Sequence, residues 1–191
     1  MSGNKLVQLL NQYNHEHTIA ETGKIINIKP ITTGQMKAIL QYEGSDDPSI
    51  VEKVLDDIIT GCVTTEGFDV GELTLQDRFD LLIGIRKISK GSNYSFNIIC
   101  PVCKIESMQL INLDELEVKP FKPVEDRNIK INDNLSVTMD YVRRKHQQEA
   151  EVLVKKIGKL TETQVRSEIA TYMYAFGMTG FETKQGAITD V

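Results

Sequence analysis

Tryptophan is absent from this chain, and cysteine is scarce, with three residues among 191. An odd, small number of cysteines does not make the disulfide framework of a secreted domain, so we expect reduced thiols. No apolar run approaches the roughly 18 residues that a membrane-spanning helix needs. The first residues also lack the apolar core of a signal peptide, which predicts a protein made in a cytosol, without a membrane span.

An excess of positive charge is also missing, since the formal net charge is -5 at pH 7. A protein that binds nucleic acid by neutralising phosphates has the opposite balance, so we expect no nucleic-acid partner. The chain has neither a glycine-rich phosphate loop nor a G-x-S-x-G nucleophile motif. We therefore predict a protein that is not an enzyme, with no catalytic residues and no site for an organic cofactor.

The chain does contain enough apolar sequence for a folded core, with 40% hydrophobic and 26% charged residues. Its strongest local pattern is an amphipathic helix at Leu75–Ser89. Thr74 and Asp77 resemble a capping box at its start, and Lys90-Gly91 suits its end. The spacing places five side chains on one side of this helix: Leu75, Phe79, Leu82, Ile83 and Arg86.

A β-hairpin with two cysteines in its turn is predicted directly after this helix. Tyr94, Phe96 and Ile98 alternate with other residues, which is typical of a half-buried strand, and Ile105–Leu113 forms the return strand. The turn between the strands is Cys100-Pro101-Val102-Cys103. A helix that leads into a hairpin is a scaffold element and not a catalytic signature, so this stretch favours assembly and binding.

The predicted fold class is α+β, with helices packed against short antiparallel hairpins and followed by a C-terminal helical hairpin. We expect an N-terminal arm (residues 1–23), an α+β core that contains the Cys-x-x-Cys hairpin (24–140), a helical hairpin (141–176) and a flexible C-terminal tail (177–191). The glycine-rich tail and the polar arm are expected to become ordered when the protein docks onto a partner.

The two cysteines of the turn, Cys100 and Cys103, are the candidate metal ligands. They supply half of a tetrahedral zinc site, which needs two further thiolates or imidazoles. Cys62 and three histidines are the other ligands of this type, but their spacing does not complete the set. An unmetallated turn, the relic of a lost site and a site completed between subunits all stay open, and zinc is the one cofactor that this pair suggests.

A basic cluster stands out in this acidic chain, at Arg143, Arg144, Lys145 and His146. On a helix, such a run is usually a solvated face. The alternative is a docking surface for an acidic protein partner. Nucleic acid is the weaker candidate, because no aromatic residues alternate with the cations.

Several short stretches between about Lys24 and Phe121 follow one another in a characteristic order. They are the strand Lys24–Pro30 with a helix beginning near Thr33, the helix end Ile58–Cys62, the run Leu73–Leu82, the run Ile85–Gly91, the turn Cys100–Cys103 and the closing segment Asp114–Val118. In the order of the elements and in these local matches, the chain resembles the small baseplate hub and hub-assembly proteins of T4-like contractile-tailed bacteriophages.

The resemblance implies a role without catalytic residues, as a structural or chaperone-like protein of the tail baseplate hub. Its partners would be other hub and tail proteins, and several copies of the chain could assemble around the tail axis as a homo-oligomer. It would be made in the cytoplasm of the infected bacterium and could stay in the virion tail. The competing interpretation is a zinc-binding adaptor or regulatory protein that uses Cys100 and Cys103.

Overall fold

Five α-helices lie within the residues that the computed structural model describes, which are 14–42, 47–116, 121, 123, 127–183 and 186–188. They are α1 (Thr33–Gln41), α2 (Pro48–Cys62), α3 (Leu75–Lys90), α4 (Arg144–Ile157) and α5 (Glu162–Gly177). None of the helices in these ranges is both long and apolar enough to cross a membrane.

The strands in the same ranges form three antiparallel sheets. Two sheets are hairpins, β1 (His15–Thr18) with β2 (Ile25–Ile28), and β3 (Asn93–Ile99) with β4 (Glu106–Asn112). The third sheet has the order β5-β6-β7-β8, with β5 at Asn128–Asn132, β6 at Leu135–Met139, β7 at Met178–Thr183 and β8 at Gly186–Ile188. Together with the helices, these sheets confirm the predicted α+β class.

The structure separates into two compact units. The first unit comprises residues 1–68 and 79–120, and the second comprises 69–78 and 121–191. In this grouping, the segment 69–78 from the middle of the chain falls with its C-terminal part. The four-part division expected from the sequence stays a prediction. Residues 1–13 of the expected arm lie outside the described residues, but β1 is part of that arm and pairs with β2.

In the first unit, local capping signals fix where the helices begin. The Thr32 hydroxyl accepts a hydrogen bond from the backbone N–H of Gln35, whose side chain in turn accepts from the backbone N–H of Thr32. Asp47 caps α2 through the backbone N–H of Ser49, directly before Pro48. These caps satisfy N–H groups that have no partner within the helix.

The core of the first unit lies between β2, α2 and α3. Strand β2 is joined to the end of α2, since the Lys29 N–H donates to the Cys62 carbonyl and the Thr64 N–H donates to the Asn27 carbonyl, both at 2.9 Å. The apolar side chains that β2, α2 and α3 direct into this core are almost completely removed from water. Burial of apolar surface is the main favourable contribution to the free energy of folding. The buried set includes Ile26, Ile28, Ile58, Ile59, Leu81 and Ile85.

The second unit consists of the four-stranded sheet, the helical hairpin and the segment 69–78. Helices α4 and α5 are joined by a short turn after Gly158, and Thr161 caps α5 with Gln164. Ala150 and Val154 on α4 are buried, and so is Val137 on the inner strand β6. The helical hairpin of the predicted fold class is therefore present.

The C-terminal segment, where the glycine content led us to expect a flexible tail, contains two paired strands. Met178–Thr183 pairs with β6, and Gly186–Ile188 pairs with β7. Gly177 is buried, and a Cβ there would lie 3.3 Å from the carbonyl oxygen of Asp140, so this glycine permits a close approach of two backbones. Mobility of the tail in solution stays a prediction, and residues 184–185 and 189–191 lie outside the described residues.

The buried side of α3 is not the one that the apolar spacing predicts. Leu81 and Ile85 are fully buried, whereas Phe79 is 67% exposed and Leu75 is 41% exposed. Apolar residues occur on more than one side of this helix, so the spacing alone allowed two choices of buried side.

Substitutions on the two sides of α3 should therefore differ in cost. We expect Leu81→Ala to lower the free energy of unfolding by about 3 kcal/mol, because it leaves a cavity in the core. Phe79→Ala, the matched control on the exposed side, should change it by less than about 0.5 kcal/mol. Urea-induced unfolding followed by circular dichroism measures both values. A larger loss for Phe79→Ala than for Leu81→Ala would contradict the assignment.

Candidate functional site

The β3–β4 hairpin of the first unit is a two-stranded sheet with apolar residues on both faces. Tyr94 pairs with Ile111 on one face, and Asn97 pairs with Met108 on the other. Because successive side chains on a strand point to opposite faces, β3 carries Tyr94, Phe96 and Ile98 on the first face. The second face carries three large apolar residues that are exposed, Ile99, Met108 and Leu110.

The base of this hairpin is held by the C-terminal part of α3. The guanidinium of Arg86 donates to the carbonyl oxygens of Gly91 and Asn93, at 2.9 and 3.3 Å, and lies 5.7 Å from the centroid of the Tyr94 ring. Lys87 forms a 2.6 Å ion pair with Asp114, directly after β4. The hydrogen bond from Lys87 holds the pKa of the Asp114 carboxyl below its usual range, and a hydrogen bond with Ser92 adds to this effect.

The cysteine turn lies at the opposite end of the hairpin. The Cys100 N–H donates to the Ile105 carbonyl at 3.0 Å, and the Lys104 N–H donates to the Cys100 carbonyl at 2.9 Å. The backbone N–H groups of Cys103 and Val102 and the Cys103 side chain contact the Cys100 sulfur and lower the pKa of its thiol. Lys104 has a φ of 59°, the one positive value outside glycine in the described chain.

The structure brings together the two cysteines that the sequence singled out but keeps the third apart. Cys62 is fully buried, 3.6 Å from the amide nitrogen of Gln35, and burial raises the pKa of its thiol. All three cysteines are free thiols. Among the described residues, no group of three or more histidine, cysteine, aspartate or glutamate side chains is placed to hold a metal ion. The chain itself therefore supplies two metal ligands at the turn, and zinc binding stays a prediction.

The basic cluster at the start of α4 makes several contacts inside the second unit. Arg143 donates to the carbonyl oxygen of Glu72 at 2.7 Å, and the ammonium of Lys145 is 2.9 Å from the Glu72 carboxylate. Arg144 is buried and pairs with Glu151 at 3.2 Å. These ion pairs neutralise much of the charge that suggested a docking surface, and a docking role for the cluster stays a prediction.

His146 is also engaged within the second unit. Its Nδ1 accepts a hydrogen bond from the backbone N–H of Arg143 at 3.2 Å, and its ring centroid is 6.4 Å from that of Phe176. Burial, with the charges of Lys145 and Arg143, lowers the pKa of His146 despite opposing effects of Glu149 and Asp140. Histidine in this position is favoured in its neutral form, which can accept the Arg143 hydrogen bond.

The exposed apolar residues on the second face of the hairpin are a surface feature that the sequence analysis missed. The alternation of Tyr94, Phe96 and Ile98 predicted one buried and one polar face, whereas Met108 is 74% exposed on the other side. The signal that could have revealed it is the occurrence of apolar residues at both odd and even positions of the two strands. Such a surface is typical of a segment that binds another protein.

Comparison with known proteins gives one result of consequence for this site. The family described as T4 bacteriophage base plate protein matches the chain over residues 11–173, which include the hairpin, the cysteine turn and the basic cluster. No curated protein and no solved structure matches the chain significantly.

Removal of the carboxylate that pairs with Arg144 should destabilise the protein strongly. We expect Glu151→Ala to lower the free energy of unfolding by about 3 kcal/mol, because it takes a carboxylate partner from a buried guanidinium. The control is Glu162→Ala, since the Glu162–Arg166 pair on α5 is solvent-exposed and should contribute less than about 1 kcal/mol. Equal effects in urea titrations would show that the Arg144 pair is not a stabilising contact.

The depressed pKa of His146 predicts a loss of stability in acid. The lowered pKa means that the unfolded chain binds a proton at His146 more readily than the folded chain does. His146 therefore contributes to the free energy of unfolding above about pH 6.5, and this contribution is lost as the pH falls through the pKa of the folded state. His146→Gln keeps an acceptor without a titrating ring, so its free energy of unfolding should fall less steeply below about pH 6.5 than that of the wild type. His15→Gln, on the exposed strand β1, is the control. A wild-type slope in His146→Gln would refute the assignment.

Proposed function

The chain belongs to the family of T4 bacteriophage base plate proteins, and from this premise we propose that it acts in building the hub of the tail baseplate. The family identifies a structural protein of a phage baseplate, which contacts other tail proteins. The match over residues 11–173 is the observation that carries the proposal. The motifs between Lys24 and Phe121 that resemble hub and hub-assembly proteins favour the hub over other positions in the baseplate.

We further propose that the protein acts through protein–protein contacts and not through catalysis. Arg144 and Lys145 of the basic cluster form ion pairs with carboxylates of their own unit. The cysteine turn connects the two strands of the β3–β4 hairpin. The protein would be made in the cytoplasm of the infected bacterium and would bind other hub proteins there. It would then either stay in the virion tail as a subunit or leave as a chaperone.

The β3–β4 hairpin is the contact element that we propose for this role. A two-stranded hairpin gains little stability from its own pairing, so its exposed apolar side chains gain most when another protein covers them. Met108 and Leu110, both on the second face of the hairpin, are more than two-thirds exposed, at 74% and 69%. Their packing into a neighbouring baseplate protein would bury this surface without a change in the core of the first unit.

A charge on this face should therefore prevent assembly without unfolding the protein. In cells infected with a phage that lacks this gene and supplied with the variant, Met108→Asp should lower the yield of hub-containing baseplates at least about tenfold, equivalent to about 1.4 kcal/mol of lost binding. Mass spectrometry of purified particles gives the yield, and the same spectra of finished virions separate a retained subunit from a chaperone that has left.

The matched control is Gln109→Asp, which adds the same charge at the neighbouring position on the opposite face of β4. It should assemble like the wild type. Equal losses for both variants would point to a general effect of charge on the hairpin, and wild-type yields for both would exclude this face as the contact.

A further inference from the structure

We propose that the Cys100–Cys103 turn binds one zinc ion together with the same turn of a second copy of this chain. Four thiolates, two from each copy, would then complete a tetrahedral site. This site lies beyond the proposed role in the hub and does not depend on it, since it rests on the turn geometry and on the ligands that one chain can supply.

The backbone of the turn brings the two cysteines to the tip of the hairpin. Ile99 and Glu106 are the last paired residues of the two strands, and the Cys100 N–H donates to the Ile105 carbonyl at 3.0 Å directly beyond them. The two thiols are therefore placed side by side at the tip of the hairpin, with Cys103 exposed and Cys100 half-buried.

The conformation of Lys104 closes the turn at a cost that a simple loop would avoid. Its φ of 59° lies in the left-handed region, which glycine adopts far more readily than lysine. In this conformation its N–H donates to the Cys100 carbonyl at 2.9 Å, which keeps the two cysteines together. A strained residue directly after the second cysteine is the kind of outlier that clusters at binding sites.

One chain cannot complete the coordination from its own thiols and imidazoles. All six of its cysteine and histidine residues lie within the described ranges, and they form no group of three with each other or with the carboxylates of those ranges. Cys62 is buried in the core beside Gln35, and His146 accepts a hydrogen bond from Arg143. Two ligands are too few for a structural zinc site, so the remaining two must come from another chain.

A second copy of this chain is the simplest source of the two missing ligands, because it carries the same pair of cysteines. In a dimer with a two-fold axis through the metal, the turn of one copy faces the same turn of the other. Each copy then contributes two thiolates, which gives the four ligands of the site. Four thiolates and one Zn²⁺ carry a net charge of minus two, which the two copies of Lys104 would balance. The same contact would cover Val102, 89% exposed at the tip, and its neighbours Ile99 and Ile105.

The test is the effect of zinc on the mass of the reduced, full-length protein. Native mass spectrometry of the chain with added Zn²⁺ should give a dimer with one zinc ion for every two chains, and a chelator should return it to the monomer. Co²⁺ used in place of zinc should give the intense absorption of a tetrahedral four-thiolate site. Cys100→Ser and Cys103→Ser should each abolish both signals, while Cys62→Ala keeps them.

Circular dichroism shows whether each variant folds, and the exposed position of the turn leads us to expect unchanged spectra for the two serine variants. A mixture of wild type and Cys100→Ser should contain wild-type dimers and no mixed dimers. One zinc ion in each monomer would overturn the second copy as the source of ligands. A dimer that forms without zinc, metal retained by the serine variants, or only a Cys100–Cys103 disulfide under oxidising conditions would overturn the site itself.

Discussion

The buried guanidinium of Arg144 is the constraint around which the second unit is organised. Its side chain is 2% exposed, and a charge removed from water to this extent is costly unless other groups replace the lost hydration. Glu151, two turns along the same helix, supplies a carboxylate at 3.2 Å. The Arg144 backbone N–H donates to the Leu73 carbonyl, which fixes the segment 69–78 beside the start of α4. One residue therefore links the C-terminal helices to a segment more than 60 positions earlier.

The same region offsets an unfavourable charge pattern. The first turn of α4 carries cations and no acidic residue, although the positive end of the helix dipole favours the reverse. Glu72 compensates through its ion pair with Lys145, and its backbone carbonyl accepts from Arg143. The basic cluster, which the sequence suggested as a docking surface, thus forms stabilising contacts within its own unit.

The first unit shows the opposite arrangement, with polar anchors at the base of the β3–β4 hairpin and apolar groups outside. Arg86 and Lys87 fix that base through hydrogen bonds and an ion pair. The strands beyond it hold Met108 and Ile99 in solvent. Anchors at the base of an exposed strand pair lower the ordering cost of binding to it, because fewer groups have to be fixed when a partner associates. This physical property suits a protein of a phage baseplate.

The sequence by itself determined the elements whose signals lie within a few residues. The caps Thr32–Gln35 and Thr161–Gln164 and the turn after Asn132 are interactions between near neighbours, so their positions could be predicted, as could the α+β class and the cysteine turn. Only the tertiary structure decided which side of α3 is buried, that Met178–Thr183 joins β6, and that Lys145 pairs with Glu72. These choices depend on partners about 40 to 70 positions away, and a local pattern of apolar and charged residues carries no information on which distant group will meet it.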